Sequence, residues 1–323
     1  MNDVNIKKKK AIHFGIIILI LTILFSLVSC RVSDSPQDSH KLGDTGVSVY
    51  TEMIKVDLEY GSETLGFPLY FVSDSPLSME DIAFVRLEGE NVEYFESTEL
   101  NRLNITDVTD VEVNGKYLYL YDVVSEIDGD YFTPMANIEA PEVWEIRIDD
   151  VVVSIDGAEY SIKLEHPVKY HYNDENYNDI EGNHMYGPIT VFTYGIAETY
   201  SVNIHNYAGD VALTDFYFSN FLNANNKVVY CNGEQLGDLD GKVNYKVGKR
   251  ESGAASGATI YFNPAHSEKY TYTEFDYILC TAIVDYYVEG DNTVYRMKFP
   301  FNSQGIGNRE TAENFLEYVA NLD

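Results

Sequence analysis

Oxygen-bearing side chains of the kind that bind a hard cation cluster within residues 171–187. Calcium takes roughly six to eight oxygen ligands from carboxylates, amides and carbonyls. The candidate ligands here are Asp174, Asn176, Asn178 and Asp179. They do not follow the EF-hand pattern, because Asp179 stands where that loop needs glycine and Met185 where it needs glutamate. The segment therefore predicts either a structural calcium site or a solvated acidic stretch, and the sequence indicates no other cofactor.

Tyrosines are the second set of candidate binding residues. The chain has 27 tyrosines and one tryptophan. Tyr117, Tyr119 and Tyr121 alternate with leucines, so in a strand all three side chains project from one face. Such a face is either an aromatic platform for a glycan or protein partner, or ordinary cross-strand packing. We expect packing, because the preference of tyrosine for pleated, half-buried surfaces accounts for its abundance.

Two cysteines, Cys231 and Cys280, follow residue 30. Cys280 lies in the apolar run 278–284, and Cys231 ends the run 228–230. Outside the cytoplasm such cysteines can pair. The sequence leaves two alternatives open, an inter-strand disulfide or two free buried thiols, because pairing depends on geometry.

No catalytic signature stands out in the chain. It has no G-x-S-x-G, and the nearest stretch, residues 253–257, lacks the spacing of a nucleophile elbow. A pair of carboxylates could cleave a glycoside. However, a chain with 52 acidic residues contains many accidental pairs, so the sequence cannot identify a catalytic one. We therefore predict that the protein is not an enzyme. An envelope hydrolase that acts on carbohydrate with Asp/Glu catalysts is the alternative.

The first thirty residues resemble the signal peptide of bacterial lipoproteins. Four lysines at positions 7–10 precede an apolar run over 11–28, and Leu27, Ser29 and Cys30 end it as a lipobox does. The resemblance implies cleavage before Cys30 and lipidation of its thiol, with fatty acyl chains such as palmitate as the anchor. An uncleaved membrane-spanning anchor is the alternative, because about eighteen apolar residues can just cross a bilayer. Either way, the expected location is the extracytoplasmic face of a bacterial membrane.

The charge balance argues against nucleic acid as a partner. The chain has 22 Lys+Arg against 52 Asp+Glu, a net charge of −30. Nucleic acids and anionic lipid headgroups both require a basic face. Besides the membrane reached through the lipid, the remaining partner classes are proteins and glycans.

From residue 47 onward, alternating apolar segments and turn signals predict an all-β chain. Asn114-Gly115 and Asp156-Gly157 are strong hairpin signals. Strands at this spacing indicate two tandem antiparallel β-sandwich domains of immunoglobulin-like architecture, followed by a short C-terminal helix. The expected divisions are 1–30 signal peptide, 31–46 flexible tether, 47–170 first sandwich, 171–187 acidic linker, 188–304 second sandwich and 305–323 helix.

The two halves of this β-rich region look alike. Residues 76–94 have a counterpart in 212–230, and each half closes with a long hairpin, which indicates two copies of one unit of about 115 residues. Convergence is the alternative, because any two sandwiches share such patterns. The immunoglobulin family itself is not indicated, because the only tryptophan, Trp144, does not lie between the two cysteines.

The pattern of residues 308–322 predicts an amphipathic helix. Asn308 is the expected cap, and Phe315, Val319 and Leu322 share one face. We expect this helix to pack on the second sandwich.

These observations lead to a hypothesis of a lipid-anchored binding or scaffold protein whose ligand the sequence does not reveal. The alternatives are the carbohydrate hydrolase and an accessory subunit of a membrane complex. A flat, tyrosine-lined sheet face would favour binding, whereas a cleft with perturbed carboxylates would favour hydrolysis.

Overall fold

A computed structural model describes residues 40–59, 64–78, 80–103, 111–127, 145–171, 185–186, 191–194, 199–206, 211–231, 233–239, 245–247 and 257–322. Cys30 and the four calcium candidates, Asp174, Asn176, Asn178 and Asp179, lie outside these residues. Within the described ranges, no helix has the length and hydropathy needed to cross a bilayer.

The described part of the chain has nineteen strands, one 3-10 helix (Val92–Tyr94) and one α-helix. The strands of the first half are β1 (Val47–Tyr50), β2 (Ile54–Glu59), β3 (Thr64–Ser73), β4 (Ile82–Glu90), β5 (Phe95–Arg102), β6 (Glu112–Val113), β7 (Lys116–Ile127), β8 (Glu145–Ile155) and β9 (Ala158–His171). Those of the second half are β10 (Met185–Tyr186), β11 (Val191–Tyr194), β12 (Tyr200–Asn206), β13 (Val211–Phe218), β14 (Leu222–Cys231), β15 (Glu234–Asp238), β16 (Tyr245–Val247), β17 (Gly257–His266), β18 (Tyr277–Val288) and β19 (Tyr295–Gln304). Helix α1 is Arg309–Ala320.

The first half is a sandwich of two layers. One layer has the strand order β1-β3-β7-β5, with every pair antiparallel. The other has the order β2-β9-β8-β4, in which β2 runs parallel to β9 and the other pairs are antiparallel. The two predicted hairpins form at their polar turns, where Asn114 and Asp156 have φ of 54° and 52°. These left-handed conformations are the ones that favour Asn-Gly and Asp-Gly.

The strands of the second half have the same order and directions as those of the first half. Its layers are β10-β12-β17-β14 and β11-β19-β18-β13, and β11 runs parallel to β19 as β2 does to β9. Strand β15 extends one layer beyond β14, and β16 extends the other beyond β13. Order and direction agree strand by strand between the two halves, as the predicted duplication requires. The order is that of an immunoglobulin-type sandwich, so the all-β fold class is confirmed.

The two sandwiches share one continuous sheet of nine strands. Strand β2 pairs in parallel with β18, placing Ile54 opposite Tyr277 and Asp57 opposite Cys280. Because side chains alternate along a strand, Tyr277 belongs to the first hydrophobic core and Cys280 to the second. The predicted sandwiches therefore have separate cores but are joined within one body, residues 40–323.

The last part of the predicted tether 31–46 belongs to this body. Leu42 is buried in the first core, and its amide donates to the carbonyl of Val47 at 2.8 Å. Lys41 forms a bridge with Ser48, which extends β1 by one pairing. The prediction of a tether is wrong for residues 40–46. This polar stretch contains one apolar side chain, Leu42, whose burial in the first core anchors the segment to the sandwich.

Helix α1 begins where the sequence predicts but packs elsewhere. The side chain of Asn308 accepts a hydrogen bond from the Thr311 amide at 2.9 Å, which caps the helix. The ring of Phe315 lies 5.7 Å from that of Tyr50 and 5.8 Å from that of Tyr70, both in the first sandwich. The expectation that the helix packs on the second sandwich is therefore wrong. Leu322 lies beyond the end of the helix and is 51% exposed.

Candidate functional site

The layer β10-β12-β17-β14-β15 of the second sandwich has one buried face and one open face. Along β12 and β17 buried residues alternate with exposed or half-buried ones, as expected for a sheet covered on one side. The pairing register places the outward residues of neighbouring strands side by side. We call the following side chains the neutral face: Ser201, Asn203, Asn225, Val228, Tyr230, Gln235, Thr259, Tyr261 and Asn263.

The central strands of the neutral face, β12, β14 and β17, are distinguished by their lack of acidic side chains. An exposed carboxylate, Asp238 of β15, lies at the edge of the face, opposite Val228. Strands β12, β14 and β17 contain no aspartate, glutamate or arginine, although 23% of the chain is charged. Their single lysine, Lys227, forms an ion pair with Asp215 of β13, in the other layer. A surface that served solubility alone would carry charges in the proportion of the rest of the chain. The absence of acidic residues and arginine from the central strands therefore points to a surface with another purpose.

Tyr261 lies at the centre of the neutral face. Its side chain is 39% exposed, and no other tyrosine or phenylalanine in the described ranges is as exposed. Its ring packs edge to face with that of Tyr230, with centroids 5.1 Å apart and planes at 74°. The Tyr230 hydroxyl donates to Oε1 of Gln235 at 3.1 Å. Tyr230 is thus fixed from two sides and supports the exposed ring of Tyr261.

Hydroxyl and carboxamide groups surround this ring in regular rows. The Thr259 hydroxyl donates to Oδ1 of Asn203 at 2.7 Å, and Nδ2 of Asn263 donates to the Thr199 hydroxyl at 3.2 Å. Ser201 lies directly opposite Tyr261 on the neighbouring strand. Neighbouring strands are about 4.8 Å apart, so these polar groups form a fixed grid around the aromatic ring.

In the corresponding layer of the first sandwich, the described strand β3 is covered on both faces. All residues of β3 from Phe67 to Ser73 are buried, which requires cover on both faces. Helix α1 covers one of them, because Tyr50 and Tyr70, which Phe315 contacts, are opposite each other on β1 and β3. The two copies of one fold therefore differ in whether this layer is covered.

The predicted tyrosine row lies in the covered copy. Tyr119 and Tyr121 are buried and Tyr117 is half-buried. The Tyr119 hydroxyl accepts a hydrogen bond from the Leu77 amide at 2.8 Å, and the Tyr121 ring packs edge to face on Phe71 at 5.3 Å. In the structure, this tyrosine row therefore serves cross-strand packing and does not form an exposed aromatic platform. The open tyrosine, Tyr261, lies instead in β17, a segment whose lack of acidic residues is the sequence signal that could have indicated it.

The two cysteines of the body are free thiols in the structure. Cys280 is buried in the second core, and Cys231 is half-buried at the end of β14. Burial raises the pKa of the Cys280 thiol well above its usual value. A thiol held in its neutral form is a poor nucleophile, so Cys280 is suited to packing.

Among the described carboxyl groups, Asp122 has the kind of pKa perturbation that catalysis uses. Burial raises the pKa of Asp122 to about 6. A glycosidase needs a second carboxylate close enough to interact with the first, and no charge on a neighbouring group contributes to this shift. Within the described ranges there is also no group of three His, Cys, Asp or Glu side chains that could hold a metal ion.

A second polar cluster lies where the two sandwiches join. His171 at the end of β9 contacts Asp57 through Nε2 at 2.9 Å and Glu145 through Nδ1 at 3.2 Å. Asn220 of the second sandwich donates to the other Asp57 oxygen at 2.7 Å. Hydrogen bonding to Asp57 raises the pKa of His171, while the bonds from His171 and Asn220 outweigh burial and lower the pKa of Asp57.

The cluster makes stability depend on pH. Because the folded pKa of His171 is raised, its contribution is present below about pH 6.5 and is lost as pH rises through the folded value. Asp57, whose pKa is lowered, contributes above about pH 3.8 and loses its contribution as pH falls through the folded value. We expect His171→Gln to cost about 1 kcal/mol at pH 5.5 and much less at pH 9, a value reduced because His171 is 27% exposed. Urea denaturation at both pH values measures this difference.

His166 provides a control with the opposite sign. Burial and the nearby Lys55 charge lower the pKa of His166, so its protonation opposes folding as pH falls. The cost of His166→Gln should therefore shrink towards pH 5.5. A His171→Gln penalty that did not change with pH would show that the cluster is not charged in the folded protein.

The chain matches no protein-family profile and no curated protein. Among solved structures, the ASH/PapD-like domain of human CEP192 is 11% identical, with a TM-score of 0.21, over 38% of this chain and 86% of that one. The CooA pilin subunit from enterotoxigenic Escherichia coli is 14% identical, with a TM-score of 0.22, over 36% and 90%. The CupB6 tip adhesin from Pseudomonas aeruginosa is 9% identical, with a TM-score of 0.19, over 80% and 99%. At these scores, function has to be argued from the residues of the chain itself.

Proposed function

We propose that this chain is a lipid-anchored, extracytoplasmic binding protein that presents the neutral face of its second sandwich to a partner outside the cell. The observation that carries the proposal is an open sheet face whose three central strands have no acidic residue and no arginine, in a chain of net charge −30. Rigid strands position its aromatic and polar groups, which is a favourable arrangement for recognition. The sequence of residues 1–30 supports the anchor.

The anchoring part of the proposal predicts a loss of lipid from Cys30→Ser. Expressed in a bacterial host with labelled palmitate, the wild-type chain should carry label and partition into detergent, because two or more acyl chains hold a protein on a membrane. The variant should carry no label. Mass spectrometry of the wild-type product should find Cys30 acylated at the new N-terminus. An unprocessed Met1 with a bare Cys30 thiol would contradict this anchoring mode.

The binding part of the proposal is tested by placing a charge on the neutral face. Ser201 is exposed and lies opposite Tyr261, so Ser201→Glu introduces an unpaired carboxylate beside the ring without disturbing the core. Retention of the purified protein, kept in detergent, on membrane-free cell-wall and extracellular material should fall at least about tenfold, because a desolvated unpaired charge costs more than 1.4 kcal/mol.

Asn292→Glu is the matched control for this variant. Asn292 is exposed in the turn between β18 and β19, so the substitution adds the same charge away from the neutral face. It should leave retention unchanged. Equal retention of wild type and Ser201→Glu would remove the neutral face from the function. Stoichiometric recovery of both variants with an integral membrane protein would favour the accessory-subunit hypothesis instead.

A further inference from the structure

We infer that the partner of the neutral face is an uncharged glycan, a neutral oligosaccharide or polysaccharide that stacks on Tyr261. This inference rests on the proposed function and names the ligand class for it.

Charge decides between classes of ligand. The face offers no lysine or arginine to a phosphate, sulfate or uronate group, and the surrounding chain is strongly acidic. Anionic ligands are repelled by such a surface over a distance of about 10 Å at 0.1 M salt. Basic peptides, conversely, find no carboxylate on the central strands with which to pair. The binding of an uncharged ligand, by contrast, neither meets electrostatic repulsion nor requires a charged partner on the central strands.

The side chains match a sugar better than a protein. Protein interfaces depend on a dry apolar centre with several large anchors, whereas the neutral face exposes one tyrosine ring among polar groups. The C–H groups of a sugar ring pack on an aromatic face such as that of Tyr261. Sugar hydroxyls both donate and accept hydrogen bonds, as do the carboxamides of Asn203 and Asn263 and the hydroxyl of Ser201.

The shape of the face favours an extended ligand over a compact one. The groups lie on a sheet, in rows across strands β12, β17 and β14, with Asn203 in the same row as Thr259 and Tyr230. A chain of sugar units laid across these strands would contact several rows at once. We therefore expect binding to strengthen with the number of sugar units until the width of the sheet is spanned.

The experiment uses the full-length lipoprotein in a detergent without a sugar headgroup, so that the detergent does not compete. The probes are soluble β-glucan, xylan and galactomannan as neutral polymers, with polygalacturonate and alginate as anionic ones. Affinity electrophoresis should show retardation by at least one neutral polymer and by neither anionic one. The retardation should persist in 0.5 M salt, because no ion pairs contribute.

Variants at Tyr261 locate the site. Tyr261→Ala should weaken binding at least about tenfold, as expected for a central aromatic anchor, and Tyr261→Trp should retain it. Val294→Ala, at an exposed apolar position before β19, should bind like the wild type. Circular dichroism and thermal melts check that each variant is folded.

Several outcomes would overturn the inference. They are retardation by the anionic polymers, retardation that Tyr261→Ala does not alter, and the absence of retardation by every neutral polymer. A change in sedimentation coefficient with Tyr261→Ala would mean that the face binds a second copy of this chain. If neutral polymers fail while Ser201→Glu still abolishes retention on cell material, the glycan inference falls and the proposed function remains.

Discussion

Replacing Lys55 with methionine is expected to lower the free energy of unfolding by about 3–5 kcal/mol. The Lys55 ammonium lies 2.8 Å from Oδ2 of Asp276, and the two side chains are 1% and 3% exposed. Lys55 also donates to the Glu52 carbonyl at 2.8 Å and lies 5.2 Å from the centre of the Tyr272 ring. Removing the ammonium leaves the Asp276 carboxylate buried without a countercharge, and that unpaired charge is the source of the large loss.

The position of the pair explains its importance for the fold. Lys55 is on β2 of the first sandwich, and Asp276 directly precedes β18 of the second, so the ion pair lies where the shared sheet passes from one copy to the other. The Thr273 hydroxyl donates to Oδ1 of Asp276 at 2.9 Å and fixes the carboxylate for Lys55. The joint between the two sandwiches therefore depends on a buried charge pair as well as on strand pairing.

Denaturation of the full chain in urea measures this loss, with Arg86→Met as the control. Arg86 is 50% exposed and pairs with Glu88 and Glu159 on the surface, so its loss should cost less than about 1 kcal/mol. The double variant Lys55→Met/Asp276→Leu should recover most of the stability, because replacing both charges leaves neither unpaired. A Lys55→Met penalty no larger than that of Arg86→Met would show that this pair is solvated.

Truncating Phe315 to alanine is expected to cost about 3–5 kcal/mol. The Phe315 side chain is fully buried, and its ring contacts Tyr50, Tyr70 and Phe275, with the Phe275 centroid 5.4 Å away. The loss combines the removed apolar surface with the cavity left between α1 and the first sandwich. Leu322→Ala, at a position that is half exposed, should change stability by no more than about 0.5 kcal/mol.

Hydrogen exchange distinguishes the effect of this variant on the two sandwiches. With α1 loosened, amides of β1 and β3 should exchange faster, because they lie beneath the helix, while those of β12 and β17 should change little. Faster exchange confined to β12 and β17 would place the helix on the second sandwich, as the sequence pattern had led us to expect.

The sequence by itself determined the elements that depend on neighbouring residues. Alternation of apolar residues and the turns at Asn114-Gly115 and Asp156-Gly157 are local signals, so the strands, the hairpins and the sandwich class follow from them. The cap at Asn308 is equally local. The repeated topology could be predicted because two sandwiches of the same strand order repeat the same order of local signals.

Tertiary structure alone decided which surfaces are covered. Strand alternation predicts that Tyr119 and Tyr261 each lie on a sheet face, but whether that face is open depends on elements far away in the sequence. In the first copy Tyr119 is buried on one face of its layer, and α1 returns from the end of the chain to cover the opposite face, which carries Tyr70. In the second copy the corresponding layer stays open on one side. The joining of β2 to β18 is likewise a pairing of distant strands, which no local pattern specifies. Local patterns specify the shape and alternation of each strand, whereas the location of a binding face follows from long-range packing.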